Sequence, residues 1–279
     1  MTSIKEILGS TALEKVDARV LLAHLLEKHL NWPKSSLISK DSDTLPESVL
    51  NDWRIFESRR LAGEPVAYIL GEKSFYNIDL KVAPGVLIPR PETELLVELA
   101  LSHIERASTS KPQILDLGTG SGAIALALAK NLPQAQIQGV DISEEALAIA
   151  QENAKLLGLT KQLHFLKGSW FEPIIENSQF DVIVSNPPYI RAQDPHLSSG
   201  DLRFEPVGAL TDHLDGLSPY RVIFKEAKKF LKPQGLLLVE HGYDQSSILS
   251  ELLAHEGWQD IQIHFDLAGI ARALSAKLR

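Results

Sequence analysis

Apolar and polar positions along the chain read differently on either side of residue 74. Before it, apolar residues recur at helical spacing. Val20, Leu21, Leu22, Leu25 and Leu26 cluster on one helical face after Asp17, which is placed to cap that helix. A second helix is predicted to start at Pro46, a favoured first-turn residue, and to end by Gly63. Its apolar stripe is Val49, Leu50, Trp53 and Phe56. Phe75–Val82 then alternates with the two-residue period of a strand, and Pro84-Gly85 signals a turn, so a hairpin is expected there.

From Pro91 helical and strand patterns alternate. Pro91-Glu-Thr-Glu94 opens a helix with acids at its positive end. Strands are predicted at Gln113–Leu117, Gln136–Val140, Leu163–Leu166, Phe180–Ser185 and Leu236–Glu240. Helices are predicted over Ser121–Lys130, from Ser143, and from about Pro219 to Leu231. Such alternation implies a parallel sheet covered on both faces. Asp260–Phe265 and Ala271–Lys277 are separated by only a short link, so the sheet should end in an antiparallel edge. The expected organisation is an all-helical domain over 1–73, a hairpin linker over 74–90 and an α/β domain over 91–279.

The first chemical signal is Asp116-Leu-Gly-Thr-Gly-Ser-Gly122, a strand, glycine loop and helix start. Glycines there let the backbone turn tightly and let a ligand touch the main chain. Gly118, Gly120 and Ala123 also satisfy a dinucleotide fingerprint, so the loop alone is ambiguous. Asp116 tips the balance, because a carboxylate beneath the loop is awkward beside a pyrophosphate but suits an ammonium, as in S-adenosylmethionine. Asp116 could also simply brace the loop. Asp141 closes the next strand 23 residues past Gly118, where its carboxylate can accept both hydrogen bonds of a ribose diol.

The second signal is Asn186-Pro-Pro-Tyr189 directly after a buried strand, at the mouth of the same crevice. The prolines stiffen the turn and remove two donors. An acceptor-rich pocket remains, made of the Asn186 oxygen and the Pro187 carbonyl, with Tyr189 as a planar face. It fits an NH₂ group on a flat π-system. Such a nitrogen is a poor nucleophile because its lone pair is delocalised. Two fixed acceptors hold the N–H bonds and aim the lone pair, and alignment with a sulfonium methyl supplies the rest.

Composition narrows the partners. Lys and Arg number 28 against 36 Asp and Glu, a net charge of −8, which weighs against binding that runs on phosphate neutralisation. Residues 1–73 hold ten basic and eleven acidic residues, leaving eighteen against twenty-five in the remainder. Without cysteine there is no disulfide framework, thiol nucleophile or cysteine zinc site, and a reducing compartment is expected. The apolar run Ala123–Ala129 is far too short to span a bilayer, and the N-terminus carries no apolar signal core, so a cytoplasmic protein with no membrane partner is expected. The nine histidines show no HExxH or HxH spacing, and no metal is expected.

Together these motifs resemble the Rossmann-like, S-adenosylmethionine-dependent amino-methyltransferases. Leu87-Ile-Pro-Arg-Pro-Glu-Thr-Glu94, Gly168-Ser-Trp-Phe171 and the helical N-terminal domain narrow the resemblance to the bacterial release-factor glutamine methyltransferase family, PrmC/HemK. The resemblance covers essentially the whole chain. It implies methylation of the side-chain nitrogen of the glutamine in a Gly-Gly-Gln loop of peptide chain release factors. It also implies that Gly118, Thr119, Gly120, Ser121 and Gly122 hold the methionine end of the cofactor, Asp141 its ribose and Trp170 its adenine. Asn186 would lie between cofactor and substrate. Asn186, Pro187, Pro188 and Tyr189 would bind the amide, with Asn186, Pro187 and Tyr189 catalytic, and the helical domain would contact the release factor.

Three other readings compete. A nucleic-acid amino-methyltransferase acting on adenine N6 or guanine N2 would share the turn but calls for a basic patch or an added binding domain. An NAD-dependent oxidoreductase leaves Asn186–Tyr189 without a role, and a non-catalytic interaction protein leaves both motifs idle. Arg90 could pair with a ligand carboxylate or form an interdomain salt bridge. Glu240-His241-Gly242, ending a strand on the crevice side, reads as a loop with a satisfied histidine.

Overall fold

The computed structural model describes residues 2–278. Two compact units divide between Glu72 and Lys73.

The first unit is helical: α1 (Ile4–Ser10), α2 (Lys15–Leu30), α3 (Ser36–Ser39), α4 (Glu47–Leu61) and α5 (Val66–Leu70). A capping box starts α1: the Ser3 hydroxyl accepts from the Glu6 N–H, and the Glu6 carboxylate accepts from the Ser3 N–H. The core joins Ile4, Leu21, Leu22, Leu25, Leu26, Val49, Leu50, Trp53 and Ile69, with Phe56 packed at its edge. Two expectations fail locally. Val20 is 43% exposed rather than part of the stripe, because the buried arc follows α2 one residue further on. Asp17 is no cap: Glu14 occupies that position, and Asp17 sits in the first turn, its carboxylate accepting from Arg60 Nε at 2.6 Å.

A two-stranded hairpin follows, β1 (Glu72–Phe75) and β2 (Ile78–Lys81). The alternation over Phe75–Val82 is therefore not one strand, and the hairpin turn is Tyr76-Asn77 rather than Pro84-Gly85. Tyr76 adopts φ 53°, and its N–H donates to Glu94 Oε1 at 2.8 Å. That contact 18 residues away supports a turn which local sequence does not announce.

The remaining elements are α6 (Glu94–Ala107), β3 (Gln113–Leu117), α7 (Ala123–Asn131), β4 (Gln136–Asp141), α8 (Glu144–Leu156), β5 (Leu163–Lys167), β6 (Phe180–Ser185), α9 (Val207–Leu210), α10 (Ser218–Phe230), β7 (Leu231–Glu240), α11 (Ser246–His255), β8 (Gln259–Phe265) and β9 (Ala271–Lys277). The seven-stranded sheet runs β5-β4-β3-β6-β7-β9-β8. The first five of these are parallel, and β9 is antiparallel to both its neighbours. This is the expected α/β sheet with an antiparallel edge. The helix α11 was not expected, although Leu249, Leu252 and Leu253 have the spacing of a buried helical stripe.

Successive strand residues enter opposite cores. Ile114, Val182, Val184, Leu236 and Leu238 pack with α6 and α7. Leu115, Ile183, Leu237 and Val239 pack with Tyr220, Ile223 and Phe224 of α10 and with Leu249 and Leu253 of α11. Cover on both faces is why these strands are continuously apolar. The strand order reverses beside β3: the chain moves outward through β4 and β5, then returns to place β6 on the other side. Ligands of open α/β sheets sit at such a switch point, outside the carboxyl ends of the strands. Among the described residues, no helix is long and apolar enough to cross a membrane.

Candidate active site

The carboxyl ends of five strands deliver the candidate residues. β3 leads to Gly118–Gly122, β4 ends on Asp141, β5 leads to Ser169 and Trp170, β6 leads to Asn186, and β7 ends on Glu240. A cavity of about 300 Å³ opens among them, a volume that admits a small cofactor. Gly118, Thr119, Gly120, Ser121, Asp141, Trp170, Asn186 and Pro188 line it. Gly122, Pro187 and Tyr189 are outside that lining. Gly122 starts α7 as its N-cap with φ 85°, Pro187 is buried, and Tyr189 is partly buried, packed against the core on the α10 side.

The glycine loop is built for close approach. Gly118, Gly120 and Gly122 all have positive φ, which side-chain-bearing residues adopt at a cost. Asp141 fastens the loop: Oδ2 accepts from the Gly120 N–H at 2.8 Å and Oδ1 from the Ser143 N–H at 2.9 Å. A carboxylate has about four acceptor sites, so two such bonds leave capacity for a diol. Burial raises the Asp141 pKa, opposed by these backbone donors. Asp116 is fully buried beneath the loop and does not line the cavity. Its Oδ2 accepts from Thr119 Oγ1 at 2.7 Å, while Oδ1 has no partner among the described residues, and burial pushes its pKa up to about 7. It braces the loop from below. Trp170 lines the cavity with a backbone φ of 49°, a conformation rare for a bulky residue and characteristic of constrained sites.

Asn186 is fixed through its amide nitrogen. Nδ2 donates to Thr93 Oγ1 at 3.1 Å, and Oδ1 accepts no hydrogen bond among the described residues. The turn is buttressed from the segment that follows it. The Tyr189 carbonyl accepts from Gln245 Nε2 at 3.1 Å, and the Ile190 N–H donates to the Leu210 carbonyl at 2.9 Å. A Cβ at Gly216 would stand 2.3 Å from the Tyr189 carbonyl oxygen, so only glycine fits there.

The comparisons with known proteins agree along the chain. Residues 108–264 match the model of a methyltransferase domain, and residues 2–71 match that of the PrmC N-terminal domain. A release factor glutamine methyltransferase of Burkholderia pseudomallei is 44% identical over 277 residues, covering 98% of this chain and 95% of that protein. One from Vibrio cholerae is 48% identical over 254 residues, covering 91% and 86% respectively. The chain belongs to the release factor glutamine methyltransferase family. Among solved structures, a Pyrococcus furiosus methyltransferase shares the fold with a TM-score of 0.55 at 18% identity, over 79% of this chain and 96% of that one.

In this family member, Glu205 lies where sequence reading did not look, and the fold decides the surroundings of Arg90, Glu240 and His241, which that reading had noted. Arg90 lines the cavity, and its guanidinium pairs with the fully buried carboxylate of Glu205. The bridge lies within the second unit, so it is not interdomain. The other Glu205 oxygen accepts from the Ile88 N–H at 2.9 Å. Glu205 thereby ties the 86–90 segment to the stretch carrying Pro206, Gly208 and Ala209, which also line the cavity. Glu240 and His241 are buried at the end of β7; His241 Nδ1 faces the Gly242 carbonyl at 2.8 Å, while its Nε2 and Glu240 Oε2 have no partner among the described residues. The expected satisfied histidine is thus satisfied at one nitrogen only.

Proposed function

We propose that this chain transfers the methyl group of S-adenosylmethionine to the side-chain amide nitrogen of the glutamine in the Gly-Gly-Gln loop of peptide chain release factors. The family is the first support, since its members carry the name release factor glutamine methyltransferase. The observation that carries the reading is the Asn186 amide: its NH₂ end is occupied by Thr93, and its oxygen end is unpaired beside the cavity.

The residues fit the cofactor. Gly118, Thr119, Gly120 and Ser121 line the cavity at a helix start that Gly122 opens, suited to its amino-acid end; Asp141 has acceptor capacity for its ribose, and Trp170 gives a flat face for adenine. S-adenosylmethionine, when bound, supplies an electrophilic methyl on a positively charged sulfur.

This chain's part is binding, aiming and drying. A glutamine amide nitrogen is a weak nucleophile because its lone pair is shared with the carbonyl, a resonance reflected in a rotation barrier of about 18–20 kcal/mol. Asn186 Oδ1 and the Pro187 carbonyl accept the two N–H bonds, and Pro188 and Tyr189 flank the amide plane. These contacts hold the lone pair toward the incoming carbon and strengthen as positive charge grows on nitrogen. A nitrogen–carbon bond forms as the carbon–sulfur bond breaks, and one amide proton is then lost. No base is needed beforehand, because the nitrogen becomes strongly acidic on methylation.

The helical unit, residues 1–73, recognises the release factor, and the chemistry resides in the second unit. Zero cysteines and no helix able to span a bilayer among the described residues accord with work in the cytoplasm. The acidic balance argues against a phosphate backbone as direct partner.

Asn186→Ala tests the reading. Losing one preorganised partner of this kind costs about 10²–10³ in rate, so kcat should fall at least that far with cofactor affinity largely kept. Asn186→Asp keeps an acceptor but adds charge and loses the donor to Thr93, and should fall between. Near wild-type transfer by Asn186→Ala would make the turn a structural proline corner.

A further inference from the structure

Thr93 and Glu240 were brought to Asn186 by the fold rather than by sequence proximity. β6 and β7 are parallel neighbours with Ser185 opposite Val239, so the next residues, Asn186 and Glu240, leave the sheet side by side. Thr93 comes from the turn that opens α6 and is 4% exposed; Glu240 is 2% exposed. Thr93 Oγ1 accepts from Asn186 Nδ2 at 3.1 Å, and both residues lie close enough to the Glu240 carboxylate to favour its ionised form. Glu240 Oε2 has no partner among the described residues.

We propose that Glu240 and Thr93 are positioning residues which set the orientation of the Asn186 amide, so that it presents oxygen and not nitrogen to the substrate. The inference rests on the proposed role of Asn186. Its logic is hydrogen-bond polarity. An ionised carboxylate only accepts. The Thr93 hydroxyl must then spend its proton on Glu240, leaving its lone pairs for the Asn186 NH₂. Oδ1 is consequently turned to the other side, where the substrate NH₂ needs an acceptor. A protonated Glu240 can donate instead, which frees the Thr93 proton to point at Asn186 and lets the amide turn over. The turned amide would meet the substrate with N–H against N–H.

Burial, the largest influence, pushes the Glu240 carboxyl up to about 7, and Glu92 pushes it the same way. The Thr93 and Asn186 contacts and the Arg272 guanidinium oppose the rise. Tyr189 and the buried Tyr220 also lie near enough to feel its charge, and His241 follows it in sequence. Arg272 is engaged with Asp266 at 3.1 Å and is not a dedicated partner. Transfer should therefore depend on pH in the neutral range, with the ionised, high-pH form active. Asp116 titrates near the same pH, so a mutant is needed to assign the step.

The experiment measures kcat for methyl transfer to an intact release factor at saturating substrate and cofactor, from about pH 6 to pH 8.5. Glu240→Gln and Thr93→Val should each lower kcat about 10- to 100-fold, the scale known for outer-shell partners that orient metal ligands. Calorimetric affinity for S-adenosylhomocysteine should change less than about twofold, a difference under 0.5 kcal/mol. Thr93→Ser, which keeps the hydroxyl, should restore the rate. The wild-type rate should rise through about pH 7, and Glu240→Gln should lose that rise. Near wild-type kcat in Thr93→Val, or an unchanged pH step in Glu240→Gln, overturns the proposal. If Glu240→Gln does not fold, Thr93→Val against Thr93→Ser decides. Asn186→Ala run alongside separates the two ideas: loss there with no loss in Thr93→Val sinks only the orientation network, and no loss in Asn186→Ala sinks the reading of the site itself.

Discussion

The carboxylate of Asp141 holds the backbone N–H of Gly120 at 2.8 Å across the mouth of the sheet. Asp141 thus shapes the glycine loop, and in the proposed reading it also offers acceptors to a ribose. Asp141→Ala should weaken S-adenosylmethionine binding by about 1.5–3 kcal/mol for each charged hydrogen bond lost. Asp141→Asn should also lose affinity, because an amide nitrogen must then face either the Gly120 or the Ser143 N–H. Calorimetry measures both, and unchanged affinity in Asp141→Ala would remove the ribose assignment.

Arg90 is expected to matter for stability more than for chemistry. Removing it strands the Glu205 carboxylate, whose side chain is wholly buried. Breaking one side of a buried pair costs about 3–5 kcal/mol, and the partial exposure of Arg90 places this case toward the lower end. Arg90→Ala should lower the urea midpoint more than Glu205→Gln, which keeps an acceptor for the Ile88 N–H. Equal midpoints for wild type and Arg90→Ala would mean the ion pair is incidental.

The helical unit exposes large apolar side chains without a covering element, Ile38 at 83% and Ile55 at 56% among them. If this unit recognises the release factor, Ile38→Asp and Ile55→Asp should raise KM for the intact substrate about tenfold, near 1.4 kcal/mol, with kcat and cofactor affinity kept. Steady-state kinetics distinguish the cases; a fall in kcat with KM unchanged would place the effect elsewhere.

Asp116 gives a stability prediction with a definite sign. Burial raises its pKa to about 7, above the unfolded value. A carboxyl shifted upward contributes stability that is complete below its unfolded pKa and is lost as pH rises through the folded one. Asp116→Asn cannot ionise, and its oxygen can still accept from Thr119. Relative to wild type it should therefore gain stability between pH 5 and pH 8, by at most about 1.4 kcal/mol per pH unit. Urea unfolding across that range would show parallel curves if Asp116 already ionises freely in the folded protein, and that result would contradict the raised pKa.

What the sequence disclosed was what is local. The β3 strand, its glycine loop and the start of α7 are adjacent in the chain, as are β6 and Asn186-Pro-Pro-Tyr189, so spacing and strand order place both at one crevice. What it concealed depends on distant partners. Glu205 looks like any acid until Arg90, 115 residues away, meets it. Glu240 becomes informative only when the β6–β7 register sets it beside Asn186 and α6 brings Thr93. Tyr76 carries no turn signal, and Glu94 supports its conformation from another element. The pairing of β9 between β7 and β8 likewise cannot be read from two strands that merely look like a hairpin.

The central claim is that this chain methylates a release-factor glutamine using the Asn186 turn. The most direct measurement incubates an intact release factor with the protein and S-adenosylmethionine and maps the product by peptide mass spectrometry, with Asn186→Ala in parallel. The account predicts one added methyl group on the glutamine of the Gly-Gly-Gln loop, and its near absence with the variant. No methylation, methylation at another residue, or equal methylation by Asn186→Ala would contradict it.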